Sequence, residues 1–93
     1  MQTPAINQIV ESMSQVDFSG LTLPLITIYE KPYDFPTVFV ARVWDGQGPK
    51  VTNTIITRDS LQEIREDIEA AGFTIKFPRA EDDDRHIIET WMR

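Results

Sequence analysis

The sequence predicts a single small α+β domain, in which an antiparallel sheet of four or five strands carries helices on one face. Its 93 residues, 41% of them apolar, are enough for one core and leave no room for a second domain. Apolar spacing changes from helical to alternating and back, which gives the order α-β-β-β-α-β with a further strand at the end. There is no cysteine, so neither disulfides nor a thiolate zinc site support the fold.

The N-terminal segment, residues 1–20, is expected to be a helical extension of an α+β core formed by residues 21–93. Thr3 is a suitable N-cap, and Pro4 then occupies the first helical position, where its missing N–H costs nothing. The apolar residues that follow at helical spacing are Ile6, Ile9, Val10, Met13 and Val16. We expect this stripe to dock on the sheet; dimerisation through the stripe and fraying of the helix are the alternatives.

Three strands are predicted next, in "LPLITIYE", "TVFVARVW" and "VTNTIIT". In the second strand Phe39, Ala41 and Val43 alternate with Val38, Val40, Arg42 and Trp44, so both faces are expected to be partly covered. "DGQGPK" supplies the turn residues of the hairpin between the second and third strands. The prolines in "EKPYDFP" stiffen the preceding loop, which is expected to hold Tyr33 and Phe35 in fixed positions.

A second helix is predicted over residues 60–71. Ser60 and Glu63 form a capping box, and Gly72 follows where a left-handed residue ends a helix. Its buried stripe comprises Leu61, Ile64, Ile68 and Ala71, and its outer acids are Glu63, Glu66, Asp67 and Glu69. The strand "FTIKF" is then expected to point Phe73, Ile75 and Phe77 inward and Thr74 and Lys76 outward; "HIIETW" is the last strand.

Charge is unevenly distributed along the chain. Fifteen acidic residues against nine basic ones give a net charge of −6, and the excess acid lies in residues 59–89. Such a field repels nucleic acid and attracts a basic protein surface, although an acidic balance also serves solubility alone. No segment has the length and apolarity of a membrane span or the pattern of a signal peptide, so we expect no membrane contact and a cytoplasmic location.

Catalytic and metal chemistry find little support in the sequence. His86 is the only conventional base near neutral pH, and no serine lies in a nucleophile motif. The acids of "EDDDRH" are contiguous and lack the glycine of a cation-binding loop, and Gly46 and Gly48 do not form a phosphate-binding loop. We therefore expect no catalytic residue, no cofactor, no metal site and no enzymatic activity.

Two known folds share part of the predicted order. The order α-β-β-β-α resembles that of double-stranded-RNA-binding domains, and "ITRDSLQEIREDIEAAG" after three strands resembles a step of the HicB-type antitoxin fold. The RNA-binding domains place lysines at the start of their second helix, where this chain reads "DSLQEIRED". Direct contact with nucleic acid is therefore not expected.

A further resemblance spans residues 26–91. "YEKPYDFP", "FVARVWD", "LQEIREDI" and "FPRAEDDDRHIIETW" together resemble a group of small uncharacterised proteins of bacteria and their phages or mobile elements. The resemblance implies a small soluble bacterial protein and carries over no site.

These observations favour a non-catalytic protein-interaction or regulatory module with an acidic recognition surface. Its partner is expected to be a protein, of basic character, and the chain itself a monomer or a homodimer. The alternatives are an antitoxin-like or inhibitor protein that binds a basic partner, and an enzyme of unrecognised type. The candidate partner-binding residues are Tyr33, Phe35, Glu66, Glu69, Glu81, Asp82, Asp83 and Asp84. Trp44 and Trp91 are expected to be partly buried in the sheet, and the acid run has the alternative of being a solvated turn.

Overall fold

The computed structural model describes residues 8–47 and 50–93. For residues 50, 51 and 53 it describes the backbone only. The described residues form a six-stranded mixed sheet and one α-helix, an α+β fold. The strands are β1 (Gln8–Ile9), β2 (Pro24–Glu30), β3 (Phe39–Asp45), β4 (Lys50–Arg58), β5 (Ile75–Pro78) and β6 (Ile87–Met92). The helix is α1 (Leu61–Ala70), and a 3-10 turn spans Met13–Gln15.

The strand order across the sheet is β1-β4-β3-β2-β6-β5. β2, β3 and β4 form an antiparallel meander, and β6 returns antiparallel to β2 and carries β5 at the edge. β1 pairs with β4 in parallel, with Gln8 opposite Thr54 and Ile9 opposite Ile55. The general α+β class is thus confirmed, whereas the prediction of four or five strands, all antiparallel, is wrong.

The predicted N-terminal helix is also wrong over the residues that the structure describes. From residue 8 to residue 16 the chain forms β1 and the 3-10 turn, and the N–H of Val10 donates to the carbonyl oxygen of Ile55 at 2.9 Å. The apolar residues that recur at helical spacing make other contacts in the structure. Met13 is fully buried in the core, and Ile9 pairs with Ile55 in the sheet. A short isolated helix is only marginally stable, so pairing with the open edge of β4 is favoured over helix formation. The predicted cap and first turn, at Thr3, Pro4 and Ile6, lie outside the described residues.

One side chain of α1 fastens this N-terminal segment. Asp67 accepts hydrogen bonds from the Ser12 hydroxyl and from the N–H of Met13, both at 2.7 Å. The Arg58 guanidinium lies 3.4 Å from Asp67 and also donates to the carbonyl oxygen of Glu11. Asp67 was expected to be a solvent-facing acid of the helix; it is instead a bridge between two distant parts of the chain.

The helix itself is confirmed, with Ser60 as its N-cap and Gly72 after its last turn. The Ser60 hydroxyl accepts from the N–H of Glu63 at 3.2 Å, and Gly72 has φ of 94°, a conformation that strains any residue with a Cβ. Ile64 and Ile68 are fully buried. These two side chains fix the helix on one face of the sheet.

The main core lies between α1 and that face. It contains Met13, Phe18, Ile26, Ile28, Ala41, Val43, Ile56, Ile64, Ile68, Phe73 and Trp91. Val40 and Ile55 are also buried, but the strand register places them on the opposite face, which α1 does not cover. We call this opposite face the open face of the sheet.

The predicted inward face of "FTIKF" is right for Phe73 and wrong for Ile75 and Phe77. Phe73 is fully buried, whereas Ile75 and Phe77 are 42% and 47% exposed. Regular pairing begins only at Ile75, after the turn that Gly72 makes, so alternation does not carry over from Phe73. Lys76, expected to point outward, lies opposite Trp91, with its ammonium 5.6 Å from the centre of the indole ring.

A buried ion pair joins α1 to β6. Glu89 is 4% exposed and accepts two hydrogen bonds from Arg65, from Nε at 3.0 Å and from Nη2 at 2.7 Å. Trp91 Nε1 donates to the same carboxylate at 2.8 Å. Burial alone would raise the pKa of Glu89, but the bonds from Arg65 and Trp91 and the charges of Arg65 and Lys76 lower it below its usual value.

Candidate functional site

The open face carries a cleft in its middle. Strand register places Thr27 opposite Arg42, and Tyr29 opposite Ile87, on this face. The cleft has a volume of about 210 Å³ and is lined by Thr27, Tyr29, Arg42, Trp44, Asp83, Ile87 and Thr90. Asp83 reaches it from the acidic loop, which we define as residues 79–86, between β5 and β6.

A second depression adjoins the first. It has a volume of about 150 Å³ and is lined by Tyr29, Pro32, Asp34, Val40 and Arg42. Tyr29 and Arg42 line both depressions, so the two lie side by side on the open face. One includes Asp83 of the acidic loop, and the other includes Pro32 and Asp34 of the loop between β2 and β3.

Hydrogen bonds hold the floor of the cleft in place. Trp44 Nε1 donates to the Thr27 hydroxyl at 2.7 Å, and the hydroxyls of Thr27 and Thr90 are 3.1 Å apart. Arg42 Nη1 donates to the carbonyl oxygen of Thr52 at 3.2 Å. The bonds from Trp44 to Thr27 and from Thr27 to Thr90 link β3, β2 and β6 and fix the indole ring. The aromatic wall is therefore formed before any ligand binds.

Charges of both signs act on the phenol of Tyr29. Burial is the main reason that the pKa of Tyr29 is raised; Arg42 opposes the rise, and the acids Asp84, Asp83 and Asp34 add to it. The hydroxyl therefore stays protonated at neutral pH and can donate a hydrogen bond. The acidic loop beside the cleft holds four acids and two arginines, Arg79 and Arg85, and so carries a net charge of −2.

The acidic loop has a defined conformation. Asp83 Oδ2 accepts from the N–H of Ala80 at 2.9 Å, and Asp84 Oδ1 accepts from the N–H of His86 at 2.9 Å. Arg79 donates to the carbonyl oxygens of Asp83 at 2.7 Å and Asp84 at 3.2 Å. Two of the four acids in the run therefore shape the loop as well as carrying charge.

The acidic loop is held against the loop between β2 and β3. Arg85 Nη2 donates to the Tyr33 hydroxyl at 3.1 Å, and the ring centres of Tyr33 and His86 are 4.9 Å apart in an edge-on arrangement. His86 and Glu30 make two contacts with each other. His86 Nδ1 lies 3.1 Å from the Glu30 carbonyl oxygen, and the N–H of Glu30 donates to the His86 carbonyl oxygen at 2.7 Å. These contacts fix the position of the acidic loop, whose Asp83 lines the cleft.

The predicted partner-binding residues fall into two groups. Tyr33 is 81% exposed and in contact with the acidic loop, Phe35 is half-buried in the loop between β2 and β3, and Glu81 and Asp82 are exposed at the tip of the acidic loop. Glu66 and Glu69 are exposed on α1, on the other side of the sheet from the cleft. The structure thus brings Tyr33 together with the acid run and leaves the helix acids apart from both.

Comparison of the chain with protein-family models, curated proteins and solved structures found no match. Within the part of the chain that the structure describes, no group of three or more histidine, cysteine or carboxylate side chains is arranged to hold a metal ion. Over the same residues, no helix combines the length and apolarity needed to cross a bilayer.

The sequence did not identify most of the cleft. Thr27, Tyr29, Arg42 and Thr90 alternate with core residues along their strands, and this alternation was a signal that they share one face. Nothing in the alternation shows whether a helix covers that face. Both predicted helices were assigned to the other face of the sheet, and no motif marked this face as a binding surface.

Proposed function

We propose that this chain is a non-catalytic protein-interaction module that binds a basic segment of a partner protein on its open face. The observation that carries the proposal is the acidic loop, held by Tyr33 and His86 beside a cleft with two aromatic walls, Tyr29 and Trp44. Rigid aromatic side chains with a charged rim are the usual composition of a protein-binding surface, in which charge sets the encounter rate and aromatic contact holds the complex.

Size and charge support a protein partner over other ligands. A cleft of about 210 Å³ is smaller than the roughly 300–1,000 Å³ typical of cofactor and drug-sized ligand sites. A net charge of −6 opposes approach to a polyanion such as nucleic acid. A protein segment needs only one side chain to enter a cleft of this size.

The side chains of the cleft support binding without catalysis. The two threonine hydroxyls bond to each other, and Thr27 also accepts from Trp44, an arrangement that fixes the floor rather than activating a nucleophile. The imidazole of His86 contacts Glu30 and Tyr33, so it serves to join two loops.

The test is a titration of the chain with a hexalysine peptide, followed through the amide chemical shifts. We expect shifts to change in the acidic loop and along β2, β3 and β6, and to change little with a hexaglutamate peptide of equal length. Combining Glu81→Gln with Asp82→Asn should weaken the binding and reduce its salt dependence, because exposed charges act mainly through long-range attraction.

The matched control combines Glu66→Gln with Glu69→Gln on α1, which removes the same charge from the other side of the sheet. If this control weakens hexalysine binding as much as the loop variant does, the peptide responds to net charge and not to the open face. Equal responses to the two peptides, or none to either, would refute the proposed function.

A further inference from the structure

We propose that the cleft accepts one lysine side chain of the partner, with its methylene stem between the aromatic walls and its ammonium at the Asp83 carboxylate. This inference rests on the proposed function and specifies which residue the site selects. It starts from the difference between Asp83 and the other acids at the tip of the loop: Asp83 is half-buried and lines the cleft, whereas Asp82 is exposed.

The walls of the cleft suit a lysine stem. Trp44, Tyr29 and Ile87 provide apolar surface along which methylene groups can pack, and the ammonium remains free to reach a polar end. Aromatic faces also attract a cation directly. An aliphatic side chain of the same length would gain only the packing, so the charge at Asp83 is what selects lysine over a neutral residue.

The geometry of Asp83 favours lysine over arginine. Its Oδ2 atom already accepts from the N–H of Ala80 at 2.9 Å, and that bond fixes the orientation of the carboxylate. A guanidinium binds best when it can bridge both oxygens of a carboxylate, whereas an ammonium is a compact charge that needs only one.

Arg42 also lines the cleft, and its positive charge opposes an incoming cation. The guanidinium is held on the sheet by its bond to the Thr52 carbonyl oxygen, on the side of β3 that faces β4. Asp83 belongs to the loop that connects β5 and β6, which lie on the other side of β2 from β3 and β4, so a lysine that enters beside that loop reaches Asp83 first. The Tyr29 hydroxyl offers a donor for a backbone carbonyl of the same peptide.

The inference predicts different effects for two neighbouring acids. Asp83→Asn and Asp82→Asn change the net charge equally, and asparagine can still accept the bond from Ala80, so the loop should keep its shape. At an ionic strength of about 1 M, where exposed charges are screened beyond roughly 3 Å, we expect Asp83→Asn to weaken hexalysine binding about three- to tenfold and Asp82→Asn to have little effect.

A second measurement uses the unchanged chain and so does not depend on the folding of a variant. A capped peptide with one lysine between glycines is compared with the same peptide carrying acetyl-lysine, which keeps the stem and removes the charge. We expect the lysine peptide to shift the Trp44 indole N–H and the Asp83 amide, and the acetyl-lysine peptide to shift them much less.

The outcomes separate this inference from the proposed function. If hexalysine binds the open face but Asp82→Asn and Asp83→Asn weaken it equally, or if the two capped peptides act alike, the module stands and the lysine site is wrong. If an arginine peptide binds the unchanged chain more tightly than the lysine peptide does, the selectivity argued from Asp83 is wrong. If no basic peptide binds, both proposals fail.

Discussion

Glu89 shows how strongly the role of one residue depends on its neighbours. In sequence it is one acid among many in the C-terminal half of the chain. In the structure it is almost fully buried and satisfied by three hydrogen bonds, two from Arg65 and one from Trp91. A buried charge that keeps its partners is tolerated, whereas one that loses them is costly.

This arrangement predicts opposite pH dependence for the wild-type chain and for Arg65→Ala. In the wild type the pKa of Glu89 is lowered by folding, so its contribution to stability is present above the unfolded value of about 4.3 and is lost as the pH falls through the folded pKa. In Arg65→Ala burial prevails and raises the pKa of Glu89, so stability should instead increase as the pH falls from about 7 toward 4.

Urea unfolding midpoints between about pH 3 and pH 7 measure this effect, because the wild-type loss falls below about pH 4.3 and the inverted slope of Arg65→Ala lies above it. At neutral pH we expect Arg65→Ala to cost about 2–3 kcal/mol, below the range for fully buried pairs because the Arg65 side chain is 36% exposed. Adding Glu89→Gln to Arg65→Ala should remove the inverted slope. If Arg65→Ala follows the wild-type slope, Glu89 is not held ionised by Arg65.

At the scale of elements, local signals and long-range pairing differ in how well they could be predicted. α1 was predictable because a cap at Ser60, a stripe at helical spacing and Gly72 all act within one stretch of chain. The conformation of residues 8–16 was not predictable, because it depends on the edge of β4, far along the sequence. The open-face cleft was not predictable either, because it depends on the register of β2, β3 and β6 and on the position of the acidic loop.

For α1 we expect Ile64→Ala or Ile68→Ala to cost roughly 2–5 kcal/mol of unfolding free energy, because each side chain is fully buried. Ser60→Ala should cost about 1 kcal/mol through the lost cap. Glu69→Ala on the exposed side is the control and should change stability by less than about 0.5 kcal/mol. Isoleucine variants that unfold in urea at the wild-type midpoint would show that this stripe does not hold the core.

The bridge at Asp67 predicts local loosening of the N-terminal segment. Asp67→Ala removes the acceptor for Ser12 and Met13, so the amide of Val10 in its bond to Ile55 should exchange with solvent faster than in the wild type. Glu66→Ala, on the same helix but exposed, should leave that exchange rate unchanged. Equal exchange of Val10 in both variants would mean that β1 is held independently of Asp67.

For the molecule as a whole, charge is the property that acts over the longest range. Fifteen acids and nine bases leave an excess of six negative charges. The exposed tip of the acidic loop contributes to this excess and lies outside the core. Like charges on a compact surface oppose folding, and salt screens this repulsion.

We therefore expect the melting temperature to rise by a few degrees as ionic strength increases from about 0.01 M to 0.15 M, where the Debye length shortens from roughly 30 Å to 8 Å. Combining Glu81→Gln with Asp82→Asn should raise the melting temperature at low salt and reduce its salt dependence. Differential scanning calorimetry measures both effects. A wild-type melting temperature that falls with added salt would show that attraction, rather than repulsion, dominates the folded state.

The parallel pairing of β1 with β4 also bears on the order in which the chain assembles during translation. The residues of β1 are synthesised well before those of β4, and Met13 can be buried against α1 only after the helix has formed. An emerging chain therefore holds an apolar segment without a partner until the helix has been made, while β2 and β3 can already pair. We infer that the N-terminal segment joins late, as the closing step of folding, and that slowing translation before α1 would prolong its exposure to chaperones and proteases.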